Sequence, residues 1–197
     1  MSDPINQKIK KKSFIRGFVL GLILLAFSLI SYYLITSPNA TAITIVLGPI
    51  VLKGILPIIL VILLCFNLRK NIGGYWTFRQ AVSGIFIMFI TSYTLQMVGY
   101  DLLFVKVIDR DAVNKTQIAA TRATIEVAKK TNASQAAIDQ RKADLQKEFD
   151  FQKNVIVFGI IQNYIFYLIF LFIFALAFAA LFRRNPPEYM NAVNPDE

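Results

Sequence analysis

A chain of 197 residues with 56% hydrophobic side chains and 17 Phe cannot hide its apolar surface in one small globule, because small globules have too much surface for their volume. Lipid is the solvent it requires, and the net charge of +9 does not signal nucleic acid, since Lys and Arg gather beside hydrophobic segments rather than on one patch. The absence of His removes imidazole acid–base catalysis and the commonest metal ligand, and a lone Cys65 makes neither an intrachain disulfide nor a zinc site.

A bilayer core of about 30 Å needs roughly 20 apolar residues as helix, and four segments meet that length. The first runs from Phe14 to about Ile35 behind Lys8, Lys10, Lys11, Lys12 and Arg16. Its apolar run exceeds the roughly 7–15 residues of a signal peptide, so a retained helix is expected despite the small residues Ala40-Thr41-Ala42. Gly17 and Gly21 give it a GxxxG spacing that permits close helix contact.

The second span runs from about Ile43 to Phe66 and contains Lys53, between Gly48-Pro49 and Gly54 with Pro57. A charge well inside a span is costly. Two readings follow. Lys53 contacts a substrate or ion in a broken helix, or the span begins late, near Pro49, and Lys53 snorkels to the outer headgroups. The second is the more economical.

Gly73-Gly74-Tyr75-Trp76 makes the next turn, with Tyr75 and Trp76 suited to the membrane interface. The third span covers about Gln80 to Val105 and carries Asp101 near its outer end, where it could pair with Lys53 between helices. Gln96, and Gln162 and Asn163 on the last span, can hydrogen-bond between helices.

The segment from Lys106 to Lys153 lacks Gly and Pro and is rich in helix formers. It reads as two arms, about Asp109 to Lys130 and Ser134 toward Phe151, with Asn132 or Ser134 as cap of the second. A thin apolar stripe runs through Ile118 and Ile125 on the first arm and Ile138, Leu145 and Phe149 on the second. The pairs Ile118/Ile125 and Ile138/Leu145 sit seven apart, as a coiled-coil seam requires, and this stripe is the candidate partner contact. The fourth span runs from Asn154 to Phe182; its Phe166, Phe170, Phe174 and Phe178 recur at helical spacing, as a packing or lipid face does.

Basic residues beside the spans set orientation. Five lie before span one or in its first turn and none lies in Thr36–Ala42; Arg69, Lys70 and Arg79 lie between spans two and three, and Arg183-Arg184 closes span four. All three basic flanks share one side, so both termini are expected in the cytoplasm. The ten basic residues of Lys106–Lys153 resist this assignment.

Span two ends in Asn67-Leu68-Arg69-Lys70, and Gly74-Tyr75-Trp76-Thr77-Phe78-Arg79-Gln80-Ala81 leads into span three. Span three exits through Tyr100-Asp101-Leu102-Leu103-Phe104-Val105-Lys106-Val107-Ile108-Asp109, and span four closes on Leu181-Phe182-Arg183-Arg184-Asn185-Pro186. This layout resembles a family of bacterial four-span membrane proteins catalogued as domain of unknown function 4199. Lys53 and the missing proline after Ile108-Asp109 depart from it. The resemblance implies a bacterial inner membrane and a periplasmic loop, and it brings no activity or catalytic residue.

The expected fold is all-α: a polytopic four-helix transmembrane bundle with a helical hairpin between spans three and four. Residues 1–13 are the basic cytoplasmic N-terminus, 14–105 spans one to three, 106–153 the periplasmic helical segment, 154–182 span four and 183–197 the cytoplasmic tail. The function expected is that of a non-enzymatic accessory or interaction subunit acting through the periplasmic segment, with no cofactor and no metal. Its partners are the lipid bilayer and other membrane proteins or further copies of itself, not nucleic acid. The alternative is a small oligomeric transporter or lipid-handling protein, which requires Lys53 and Asp101 to face a cavity at depth. A membrane enzyme would need clustered polar groups at one interface, and no such cluster is visible.

Overall fold

The computed structural model describes residues 4–154 and 157–184. Among them the fold is all-α. Helix α1 is Pro4–Thr36, α2 Ala42–Asn71, α3 Phe78–Ile108, α4 Ala112–Lys130, α5 Gln135–Asn154 and α6 Val157–Phe182. Four stretches are long and apolar enough to cross a membrane: Ile5–Thr36, Ala42–Asn71, Phe78–Ile108 and Gln162–Phe182. The helical bundle anticipated from the apolar segments is the fold found. Whether α5 runs directly into the fourth span falls on residues 155–156, outside the described residues, as does most of the expected tail 183–197.

The ends of the spans differ from the sequence expectation in two ways. Helix α1 reaches back to Pro4, so Lys8 to Arg16 ride on the helix rather than on a separate segment. Helix α2 is continuous through Lys53; it is widened there, not broken, by a π-helical stretch at Ile50–Ile55.

The described residues form two compact units. The first holds α1 up to Leu22, Ile59–Leu95 and the chain from Tyr164. Its packing rests on small residues. A Cβ added at Gly17 would lie 2.6 Å from the Met88 carbonyl oxygen and 2.7 Å from Thr91 Cβ, so α1 meets α3 backbone to backbone. Gly21 repeats the approach one turn on, against Leu95 and Ser92. Ala175 and Ala179 of α6 are fully buried in the same way. Phe178 stacks on Phe182 and meets Phe89 edge-on, whereas Phe166, Phe170 and Phe174 are exposed, as a lipid-facing row is.

Helix ends in this unit are closed by specific donors, because the last carbonyls of a helix lack partners within it. Gly73 and Gly74 take positive φ, and Gly74 N–H donates to the Arg69 carbonyl, a Schellman closure of α2. Lys12 Nζ also donates to the Asn71 carbonyl at 2.7 Å. Thr77 and Gln80 form a reciprocal capping box at the start of α3. Trp76 is 1% exposed, and its indole N–H donates to the Phe182 carbonyl at 2.7 Å. It is thus not an interface aromatic but the buried stopper of α6, joined by Arg69 and by a two-residue antiparallel bridge to Arg184.

The second unit comprises Ile23–Ile58 and Gln96–Asn163 among the described residues. Here Tyr32, Phe104 and Ala112 pack together, and Ile35, Ala42, Ile45, Ala119 and Ala123 form a second cluster. Helix α4 is therefore seated on the ends of the first two spans.

Candidate functional site

The hairpin of α4 and α5 is built as the alternation of its sequence suggests, with one change. Asn132 adopts φ +50° in the turn, and Ser134, not Asn132, caps α5 by accepting from Ala137 N–H. The buried seam of α4 is alanine, not isoleucine. Ala119 and Ala123 lie against Ile35, Ala42 and Ile45, one or two positions from the isoleucines. Ile118 is 70% exposed, and Ile125 is half-buried. On α5, Leu145 and Phe149 are buried and Ile138 is half-buried. The five-residue stripe is thus divided: its α5 half packs inward, and Ile118 stands free. Gln117 donates to Gln146 between the arms.

Three polar ties fix the hairpin to the spans. Tyr32 donates to Asp109 Oδ2 at 2.6 Å, and Lys115 Nζ approaches the same carboxylate at 2.7 Å. Lys115 above all, and then the Tyr32 hydroxyl, hold the Asp109 carboxyl below the usual carboxylate range, and the same bond raises Lys115. Arg122 donates to the Ser37 and Pro38 carbonyls, both at 3.2 Å, just past the end of α1. Charged groups near the free carbonyls of a helix C-terminus are favourably placed. Beside the ties, a groove of about 440 Å³ runs between α2, α4 and α5, lined by Ile45, Val46, Ala123, Val127 and Leu145 among others.

A second feature lies between the widened parts of α2 and α3. The π-helical stretches are Ile50–Ile55 and Met97–Ile108. Their bonds run five residues back, Leu56 N–H to the Val51 carbonyl and Asp109 N–H to the Phe104 carbonyl. Proline supplies part of the cause: Pro57 can offer no N–H to the carbonyl of Lys53, four residues earlier. Such widenings recur at functional sites. The two stretches carry Lys53 and Asp101, which line one cavity of about 250 Å³ with Leu24, Ser28, Gln96 and Tyr100. Lys53 Nζ stands 5.1 Å over the Tyr100 ring, a cation–π distance. Ion pairs among the described residues join Lys115–Asp109, Lys130–Glu126 and Lys142–Asp139, so Lys53 and Asp101 share the cavity without closing to contact. Gln96 donates to Ser28 Oγ at 2.6 Å, an interhelical bond, while its own Oε1 is buried and unpartnered.

Lys53 sits eleven residues along from Ala42, about 16 Å at ~1.5 Å per residue. Exposed apolar side chains stand on both sides of Lys53, Ile43, Val46 and Leu47 before it and Ile55, Ile58 and Ile59 after it. Lys53 is therefore not at the edge of the apolar stretch. Among the described residues no group of three His, Cys, Asp or Glu side chains could hold a metal ion.

The family model described as "Protein of unknown function (DUF4199)" matches residues 16–184. No curated protein and no solved structure matches the chain.

Proposed function

This chain belongs to the DUF4199 family of proteins of unknown function, and from that premise we propose that it is a non-enzymatic accessory subunit of the bacterial inner membrane. Both termini face the cytoplasm, and the α4–α5 hairpin faces the periplasm and makes the contacts. One observation carries this reading. The hairpin is tied down by Tyr32, Lys115 and Arg122 yet leaves Ile118 free on a face shared with Arg122, Ile125, Glu126 and Lys129. Isolated helices this short are marginal in water, so ties of this kind order a surface rather than merely connect two spans. The five-to-none contrast in basic residues on either side of span one supports the orientation.

The test is purification in mild detergent with quantitative mass spectrometry of co-purifying proteins, wild type against the double variant I118S/I125S. A partner held by this face is lost at least tenfold in the variant while the chain itself is recovered unchanged. Recovery of the chain only as a defined oligomer, unaffected by the substitutions, overturns the accessory role.

The cavity favours a second reading, a transporter or lipid-handling protein. It sets Lys53 and Asp101 on one open space within the apolar length of α2 and α3, as that reading requires. Its test is the binding experiment described next.

A further inference from the structure

The cavity between the π-helical stretches is lined by one cation and one carboxylate that are not paired with each other. Lys53 is the cation, held over the Tyr100 ring and, among the described residues, in no ion pair. Asp101 is the acceptor on the same cavity. Charges left unpaired beside an apolar surface are costly, so the arrangement favours a ligand that supplies both missing partners. A lone anion would satisfy Lys53 and be repelled by Asp101. A lone cation would meet the reverse conflict. A group carrying both charges, neutral as a whole, satisfies each side and is the least costly species to bring below the headgroup level.

We propose that this cavity binds a zwitterion in which a primary ammonium adjoins a phosphate, the phosphate at Lys53 and the ammonium at Asp101. The inference rests on the lipid-handling reading and names its ligand. Size agrees. About 250 Å³ is the room of about eight waters at ~30 Å³ each, which suits a headgroup and not a whole lipid. Access agrees as well. Lys53 and Asp101 are both exposed at the helix surface, and Val51, Ile55 and Leu103 beside them are exposed apolar residues against which acyl chains can lie. The phosphoethanolamine headgroup of a membrane lipid and free glycerophosphoethanolamine, both phosphodiesters, share this chemistry.

The experiment uses the full chain in detergent with native mass spectrometry, titrating phosphatidylethanolamine, phosphatidylcholine and phosphatidylglycerol separately. Phosphatidylethanolamine is expected to be retained at least tenfold better than the others, because a trimethylammonium has no N–H to donate to Asp101 and glycerol has no ammonium. Asp101→Asn removes that preference, and Lys53→Gln weakens all three lipids. Free glycerophosphoethanolamine at millimolar concentration displaces the lipid if the soluble zwitterion is a source, and leaves it bound if the lipid is the sole source; either result supports the zwitterion site. Equal retention of the three lipids, still sensitive to Lys53→Gln, overturns the zwitterion and leaves lipid handling standing. Retention indifferent to both substitutions overturns both. Circular dichroism melting of each variant separates loss of the site from loss of the fold, and the charge-preserving Lys53→Arg, which must retain binding, is the second check.

Discussion

The two units of this protein use the same kinds of residue for opposite ends. In the unit holding Ile59–Leu95, glycines and alanines bring helices to backbone contact, and each irregular helix end is closed by a named donor: Lys12 on Asn71, Trp76 and Arg69 on Phe182. In the unit holding Gln96–Asn163, the helices are widened, charges face a cavity, and an isoleucine stands free. In the first unit the polar ties close helix ends. In the second, beside its own ties at Asp109 and Arg122, Lys53 and Asp101 face open space.

The contrast is broken most forcefully at Trp76. Trp76→Ala removes a buried indole and uncaps α6, with a loss of about 3–5 kcal/mol in reversible unfolding from detergent. Gly17→Val drives methyl groups into Met88 and Thr91, with a loss of about 1–3 kcal/mol by the same measurement. Polar substitutions at the second unit's open space, such as Lys53→Gln, leave stability nearer to wild type, because no direct ion pair among the described residues is lost. If Lys53→Gln proved as destabilising as Trp76→Ala, the division between a closed unit and an open one would fail.

The hairpin tie sharpens the comparison. The Asp109 carboxyl is depressed in the folded protein, so its contribution is present above its ordinary value near pH 3.9 and is lost as pH falls through the lower folded value. A spin label at Ile118→Cys, in a Cys65→Ser background, is expected to keep one mobility from pH 8 to about pH 5 and to loosen in stronger acid. Tyr32→Phe, which deletes one donor to that carboxylate, weakens the hairpin by about 1 kcal/mol. Smallest of all, Ile118→Ser changes stability by no more than about 0.5 kcal/mol, since the side chain already meets solvent.

Much of this was legible in the residues. Apolar length revealed the spans, because lipid imposes a length that chance seldom meets four times. The GxxxG at Gly17 and Gly21 pointed to the contact with α3 but not to its partner, which only the fold supplies. Thr77 and Gln80 carry the capping-box spacing, a signal present in the sequence that locates the start of α3. Trp76 misled, because an aromatic at a span edge suits both an interface and a buried stopper, and its indole partner lies 106 residues away. The stripe misled for a similar reason. A heptad of isoleucines on α4 competes with the interleaved alanines, and the neighbouring span ends, Ile35 and Ile45, accept only the smaller side chains. The expected depths of Lys53 and Asp101 put them side by side, but the space between them is not legible in spacing, since it arises where both helices widen.

The outward, exposed hairpin is the claim on which the proposed role depends, and single-cysteine labelling in intact cells tests it most directly. In a Cys65→Ser background, Ile118→Cys is expected to react with a membrane-impermeant maleimide before lysis, Leu145→Cys to react far more slowly because it is buried, and Lys10→Cys to react only after lysis. Labelling of Lys10→Cys in intact cells, with Ile118→Cys protected until lysis, would place the hairpin in the cytoplasm and contradict the proposal.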